Sequence, residues 1–190
     1  MKDIYTGELV RLSAMDADEI SKAYSRWSRD SEYRRLLDSG AARIFSQKAS
    51  KKWLEKDMDE QSVNQHWFSI HKLDDDTLLG DVGLYVDGWP ARDVSIGIGI
   101  GERDFWGKGF GTDAMKVILR YAFTEIDMRR VTLDVFEFNP RAIRSYEKAG
   151  FRLEGRMRKA LNKEGKRWDM LFMGILHEEW MGLDTAAMVE

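Results

Sequence analysis

The sequence of 190 residues contains no cysteine, which excludes disulfide bonds, thiolate nucleophiles and cysteine-based metal sites. Histidine is also scarce. The three histidines are His66, His71 and His177, and no two of them have the four-residue spacing that places two ligands on one helix face. We therefore expect no metal site, and any thiol chemistry must come from a bound cofactor.

Long apolar runs and an excess of positive charge are missing too. No segment approaches the roughly 18 to 20 apolar residues that span a bilayer, and residues 1–12 alternate charged with apolar positions, unlike a signal peptide. The formal net charge is -3, which disfavours nucleic acid as a partner. We expect a cytoplasmic protein, monomeric or homodimeric, that binds neither membrane nor nucleic acid.

The composition is typical of a folded globular chain. Hydrophobic residues make up 43% of the sequence and charged residues 33%, so the chain has enough apolar surface to bury a core. This length favours one domain over two small ones. We predict a single domain over residues 1–190, with a core from about residue 8 to residue 180.

Hydrophobic periodicity predicts an α/β fold with a mixed sheet, because helices and strands do not alternate strictly. On the third predicted helix, Trp53 and Leu54 are expected to be buried. The predicted elements are a strand at 8–13, helices within 16–37 and at 47–60, strands at 66–72, 78–86 and 94–101, a helix at 110–127, a strand at 131–135, a helix at 140–149, strands at 152–161 and 167–175, and a helical or frayed tail from residue 177.

The strand predicted at 94–101 has two unlike faces. One carries Val94, Ile96, Ile98 and Ile100, and the other carries one serine and three glycines. The first face can pack against a core, while the second is nearly bare backbone.

A glycine-rich turn follows this strand and leads into a helix. In "WGKGFGT", at residues 106–112, the glycines allow close approach to the backbone, and the helix start offers free N–H groups to an anion. The spacing matches neither the dinucleotide-binding pattern nor the nucleoside-triphosphate loop. Alone, the turn is as compatible with a simple tight turn as with a phosphate site.

Three stretches resemble the GNAT N-acetyltransferase superfamily: "ERDFWGKGFGTDAM", "FEFNPRAIRSYEKAGFRLEGRMR" and "WDMLFMGILHEEW". Together with "SRWSRDSEYRRLL", they look most like the ribosomal-protein N-terminal acetyltransferase (RimJ/RimL-like) subgroup. The resemblance implies a mixed, mostly antiparallel sheet of six to seven strands, splayed at an acetyl-CoA site and flanked by helices. It also implies acetyl-CoA as cosubstrate and acetyl transfer to a primary amine by direct attack in a ternary complex.

The resemblance also assigns residues to the cofactor. Trp106 is a departure, because many family members carry glutamine or arginine there. Asn139 caps the helix that begins at Pro140, and Tyr146 corresponds to the family tyrosine that protonates the coenzyme A thiolate. The residues implied in cofactor binding are Ile98, Gly99, Ile100, Trp106, Gly107, Lys108, Gly109, Phe110, Gly111, Thr112, Asn139 and Tyr146.

A general base is harder to assign, because Ser95 stands where the family often has a strand glutamate. The nearby carboxylates are Asp81, Glu102, Asp134 and Glu137. We predict Glu137 as a catalytic residue, together with Tyr146 as the acid. At pH 7 about a tenth of an α-amine is neutral, against roughly one in 2,500 lysine side chains. A weak base therefore favours an α-amine, such as a peptide N-terminus.

Candidate substrate contacts, implied by family likeness, lie in the early helices and the last hairpin. They are Trp27, Asp30, Tyr33 and Trp168, and core packing explains each about as well. Two alternatives stay open: a small acceptor such as a polyamine, amino acid or aminoglycoside, and a sensor that binds acyl-CoA without turnover.

Overall fold

The computed structural model describes residues 3–59 and 63–187. Glu60, the last residue of the predicted third helix, lies outside these ranges. The strands are β1 (Val10–Ser13), β2 (Gln65–Lys72), β3 (Leu78–Gly88), β4 (Asp93–Ile100), β5 (Arg130–Phe136), β6 (Arg152–Lys163) and β7 (Lys166–Leu176). The helices are α1 (Ala17–Trp27), α2 (Ser31–Leu37), α3 (Gln47–Asp59), α4 (Phe110–Thr124), α5 (Pro140–Lys148) and α6 (His177–Ala187), with a 3₁₀ turn at Arg103–Phe105.

The seven strands form one sheet in the order β1-β2-β3-β4-β5-β7-β6. Every neighbouring pair is antiparallel except β4 and β5, which are parallel and pair only from Asp93 with Arg130 to Ser95 with Thr132. Beyond Ser95 the two strands are no longer paired, so their carboxyl ends leave a gap in the sheet. The predicted mixed, mostly antiparallel sheet is confirmed.

The two faces of β4 are covered by different helices. Val94 and Ile96 belong to the main core together with buried residues of α4. On the other face, a Cβ on Gly99 would stand 3.0 Å from the Tyr33 hydroxyl oxygen, and one on Gly101 would collide with the Trp27 ring. The glycines predicted as bare backbone therefore let the end of α1 and the start of α2 lie directly on the sheet.

One helix prediction is half wrong. Leu54 is buried as expected, but Trp53 is 52% exposed. Successive residues on a helix point about 100° apart, so a helix that buries Leu54 turns Trp53 away from the core. Trp53 instead lines the large cleft described below.

A buried carboxylate fixes the first strand to the fourth helix. The Asp113 side chain accepts hydrogen bonds from the backbone N–H groups of Glu8, Leu9 and Val10 at 3.2, 2.8 and 3.0 Å. Ionised acceptors make stronger hydrogen bonds than neutral ones. The interaction spans more than a hundred residues of sequence, and no local pattern around Asp113 indicates it.

Candidate active site

A cleft of about 1050 Å³ opens where β4 and β5 separate. One end of the cleft lies between the glycine turn and α5, and the other is covered by α1, α2 and α3. The residues that line it from the sheet are Trp67, Asp81, Tyr85, Ile96, Gly97, Ile98, Gly99, Ile100, Asp134, Val135, Phe136 and Met170.

The glycine turn forms the first end of the cleft. Gly107 and Gly109 have φ angles of +72° and +95°, a region that favours glycine because it has no Cβ. Gly109 is the N-cap of α4, and the Asp113 N–H is bonded to its carbonyl at 2.9 Å. The N–H groups of the preceding first-turn residues therefore have no partner within the helix and are free to bind an anion.

Trp106 connects the turn to β4. Its indole N–H donates to the Ile100 carbonyl at 2.7 Å, while the Arg141 and Arg103 guanidinium carbons lie 3.6 and 4.7 Å from the centre of its ring. Arg141 also lines the cleft. The aromatic residue that departs from the family pattern thus holds a cation beside the glycine turn.

Helix α5 supplies the second wall. The Asn139 side chain accepts from the Ala142 N–H at 3.2 Å and caps the helix. Further along, Tyr146 lines the cleft. Burial raises the pKa of Tyr146 to about 12, with a smaller contribution from the charge of Asp134. Its phenol is therefore protonated at neutral pH and available as a proton donor.

The predicted cofactor residues are mostly together in this cleft, with two exceptions. Lys108 is exposed and does not line the cleft, and the Phe110 side chain is buried against Phe105, ring centre to ring centre 5.1 Å. Only their backbone atoms belong to the turn that is predicted to bind an anion. The other ten predicted residues line the cleft directly.

The structure does not bring Glu137 into the cleft, which corrects its assignment as the catalytic carboxylate. Its Oε2 accepts the Asp169 N–H of β7 at 2.7 Å, and its Oε1 lies 3.7 Å from Arg156. Glu137 follows the last residue of β5, where the chain turns toward α5, and its side chain faces the neighbouring hairpin.

Of the four predicted substrate residues, Tyr33 alone lines the cleft. Trp27 is buried and donates from Nε1 to Glu102 at 2.9 Å. Asp30 caps α2 and lies 2.7 Å from Arg103. Trp168 packs edge-on against Phe138, with ring centres 5.4 Å apart. The other three therefore have structural partners outside the cleft.

Asp81 is the carboxylate that the fold buries at the second end of the cleft. It lies opposite Gly99 in the pairing of β3 with β4, so the two positions share one face of the sheet. Its side chain has 8% relative exposure. Burial raises the pKa of Asp81 to about 7, although a hydrogen bond from Tyr24 acts in the opposite direction.

Two parallel strands that separate beside a helix start, with a half-buried phenol lining the cleft, match the arrangement expected of an acyl-CoA-dependent transferase. Residues 8–152 match the family described as the acetyltransferase (GNAT) domain, and this match covers most of the chain. The chain belongs to the GNAT acetyltransferase family. It is an N-acetyltransferase that uses acetyl-CoA.

Proteins of related sequence are also named as N-acetyltransferases. The chain is 27% identical to the uncharacterised prophage-derived N-acetyltransferase YokL of Bacillus subtilis over 186 residues, covering 93% of this chain and 94% of that protein. It is 32% identical over 110 residues to YdaF of the same species, whose assignment as a ribosomal N-acetyltransferase is provisional; that match covers 58% of this chain and 60% of YdaF.

Solved structures share the fold. A spermidine N-acetyltransferase from Vibrio cholerae, in complex with CoA and spermine, superposes with a TM-score of 0.79 at 21% identity and covers 90% of this chain and 98% of that one. A GNAT-family acetyltransferase from Bacillus anthracis gives a TM-score of 0.75 at 20% identity, covering 92% and 98%. Among the described residues, no helix combines the length and apolar character needed to cross a membrane.

Proposed function

We propose that this enzyme acetylates a primary amine by direct attack in a ternary complex, with Tyr146 as the acid and Asp81 as the base. The observation that carries the proposal is that one cleft holds both groups, a phenol on α5 and a buried carboxylate on β3. The anion-binding turn forms the end of the same cleft. When bound, acetyl-CoA supplies a thioester, whose C–S bond is exchanged for an amide bond to the acceptor nitrogen.

The first end of the cleft fits coenzyme A. A pyrophosphate suits the free N–H groups at the start of α4, because the helix dipole adds to their attraction. Arg141 supplies positive charge at this end. The exposed backbone of Gly97, next to the gap between β4 and β5, leaves room for an extended chain, since a Cβ at that position would meet no atom within 4 Å.

Tyr146 supports the acid role through its protonation state. A phenol whose pKa is about 12 keeps its proton at neutral pH and can give it to a departing thiolate within the same transfer. General acid catalysis of this kind contributes roughly a hundredfold to ten-thousandfold to a rate.

Asp81 takes the base role that Glu137 was expected to fill. A base works best when its pKa lies near the operating pH, and burial brings Asp81 to about 7. Its position opposite Gly99 matters as well, because the point where a Cβ on Gly99 would stand is 3.0 Å from the Tyr33 hydroxyl and 3.9 Å from Asp81 Oδ1, so the carboxylate lies beside that hydroxyl in the cleft.

The second part of the proposal concerns which primary amine is acetylated. The V. cholerae enzyme that shares the fold is a spermidine N-acetyltransferase, whereas YdaF carries the provisional name of a ribosomal N-acetyltransferase. Both support a primary amine. The sequence motifs that resemble the RimJ/RimL-like subgroup favour an α-amine, and the carboxylate and phenol in one cleft favour turnover over a sensor role.

The test is a coenzyme A release assay across amines, run with Tyr146→Phe and Asp81→Asn. We expect Tyr146→Phe to lower kcat at least a hundredfold while acetyl-CoA binding, measured by calorimetry, is retained. Asp81→Asn should lower kcat/KM and reduce the acidic limb of the pH-rate profile to the titration of the amine itself. Failure of the wild-type enzyme to bind acetyl-CoA would refute the proposal, and so would unchanged rates in both variants.

A further inference from the structure

The side of α5 that faces the cleft carries a row of cations. Arg141, Arg144 and Lys148 all line the cleft, and their spacing of three and four residues places them on one side of the helix. Glu147 is the acidic residue of α5, and it does not line the cleft. Within the described part of the chain, none of the three cationic side chains has a hydrogen-bond or ion-pair partner. The row therefore presents positive charge that α5 does not neutralise.

The same side of α5 is held against the start of α4. The hydroxyl oxygens of Ser145 and Thr112 lie 2.8 Å apart, and Ser145 is four residues after Arg141, one turn further along the same side of α5. The cations are thus fixed beside the N–H groups that α4 leaves unpaired at its first turn. Both sets of groups attract negative charge, so they act on the same ligand.

Trp106 decides where Arg141 stands. The Arg141 guanidinium carbon lies 3.6 Å from the centre of the Trp106 ring, and the indole N–H anchors that ring to the end of β4. Arg103 contacts the same ring, but it is paired with Asp30 at 2.7 Å and with Glu32 at 2.8 Å. Arg141 is therefore the guanidinium on this ring that stays available to a ligand.

Arg141 is half-buried in this position. Burial is the largest influence on its guanidinium and lowers the pKa, while the charges of Glu32 and Asp30 act in the opposite direction. Arginine keeps its proton in proteins, so the ligand-free protein holds a partly desolvated positive charge. An anion bound beside it offsets this unfavourable desolvation.

The row is longer than one diphosphate needs. With a rise of about 1.5 Å per residue, Arg141 and Lys148 are separated by about 10 Å along the helix axis. A diphosphate at the glycine turn suits the Arg141 end, because Arg141 is stacked on a residue of that turn. Coenzyme A carries one more phosphate, on its ribose, and dephospho-CoA lacks it. Arg144 and Lys148 are the exposed cations that remain for this group.

We propose that α5 recognises the cofactor through its phosphates at two places. Arg141, positioned by the Trp106 ring, binds the diphosphate together with the glycine turn, and Arg144 with Lys148 forms a second site for the ribose phosphate. The enzyme therefore selects coenzyme A over dephospho-CoA, although both carry the same thiol arm. This selection rests on the proposed function only through its cofactor and is independent of the acceptor.

The experiment compares the dissociation constants of coenzyme A and dephospho-CoA by calorimetry at low ionic strength, where contacts between exposed charges are screened least. The wild type should bind coenzyme A about tenfold more tightly. The double variant Arg144→Gln, Lys148→Met should bind both ligands alike, with the affinity for dephospho-CoA unchanged. Arg141→Gln should weaken both ligands about tenfold and keep their ratio, because both carry the diphosphate.

Variants of Trp106 test its positioning role. Trp106→Leu should weaken both ligands as Arg141→Gln does, and combining the two should weaken binding no further, because both changes remove the same cation from the site. Trp106→Phe keeps an aromatic ring and should bind more tightly than Trp106→Leu. The control Lys116→Gln removes one positive charge from an exposed position of α4 outside the cleft and should change neither affinity. Urea unfolding shows that each variant is folded.

Equal affinity of the wild type for coenzyme A and dephospho-CoA would overturn the proposal. An unchanged ratio in the Arg144→Gln, Lys148→Met variant, or wild-type affinities in Arg141→Gln, would do the same. Additive losses from Trp106→Leu and Arg141→Gln would reject Trp106 as the residue that positions Arg141.

Failure of the proposed function gives a different result. It appears as no binding of acetyl-CoA or of either test ligand, or as normal rates in Tyr146→Phe and Asp81→Asn. Selective binding of coenzyme A without acetylation of any amine would support the two phosphate sites and reject the transfer reaction.

Discussion

Replacing Asp81 with asparagine tests the electrostatics of the cleft through folding stability, without any substrate. The substitution keeps the shape of a protonated carboxyl group but removes its titration. Burial raises the pKa of Asp81 to about 7 from an ordinary 3.8, so the folded state holds this proton more tightly than the unfolded state. The stability that comes from the proton is complete below about pH 4 and is lost as the pH rises through 7.

The size of the effect follows from the shift. A pKa difference of one unit corresponds to about 1.4 kcal/mol, so a shift of about three units sets an upper limit of about 4 kcal/mol for the wild-type loss between pH 4 and pH 8. Between pH 5 and pH 8 about two units remain, or about 3 kcal/mol. Because asparagine does not titrate, Asp81→Asn should lack this loss.

The measurement is urea unfolding of both proteins at pH 5, 6, 7 and 8, in the absence of acetyl-CoA. The free-energy difference between Asp81→Asn and wild type should grow in favour of the variant by up to about 3 kcal/mol over this range. Asp87→Asn serves as the control, because it removes one charge from an exposed position on the same strand.

A difference that stays constant with pH would refute the reasoning, since it would mean that Asp81 titrates alike in the folded and unfolded chain. A difference that falls as the pH rises would show a carboxylate stabilised by its surroundings. Either result would also remove the support that burial gives to Asp81 as a base working near neutral pH.

Three further predictions concern other parts of the structure. Asp113→Ala should lower the unfolding free energy by about 4 kcal/mol in urea, because three backbone N–H groups lose their acceptor. Gly107→Ala should lower the unfolding free energy by about 1 kcal/mol, since its φ of +72° disfavours a Cβ. The same substitution should weaken acetyl-CoA binding, as measured by calorimetry. Tyr33→Phe should raise the ligand-free unfolding free energy by about 1 kcal/mol, because it removes a buried hydroxyl without a partner.

The glycine turn and the helix starts beside it are encoded by local sequence patterns. The glycines of the turn need positive φ angles or close approach, and the Asn139-Pro140 pair marks a helix start, so each feature depends on residues a few positions apart. The turn glycines lie within one strand-turn-helix unit, and this unit fixes the direction of the backbone N–H groups at the start of α4. Resemblance to the family then linked Tyr146 to the same cleft. Helical periodicity alone would describe Tyr146 only as a residue on one face of a helix.

Predictions failed where strand register and helix packing decide the neighbours. Glu137 directly follows residues of β5 that line the cleft, but its side chain accepts a hydrogen bond from the Asp169 N–H of β7. Trp27 and Asp30 stand near Tyr33, but their side chains bond to Glu102 and Arg103. Adjacent residues on a strand or helix point in different directions, so a position error of one to three residues exchanges a cleft residue for a structural one.

The sequence by itself determined the class of fold and the conformation of the glycine turn, because backbone conformation there depends on local residue types. Tertiary structure alone decided which residues lie at the opposite end of the cleft. Asp81 from β3, Trp67 from β2 and Tyr33 from α2 come together only because strand pairing places Gly83 beneath Trp67 and Gly99 beneath Tyr33. Burial of Asp81 then changes the acidity of the carboxylate. Pairing between distant strands and the removal of water from a side chain are properties of the whole fold.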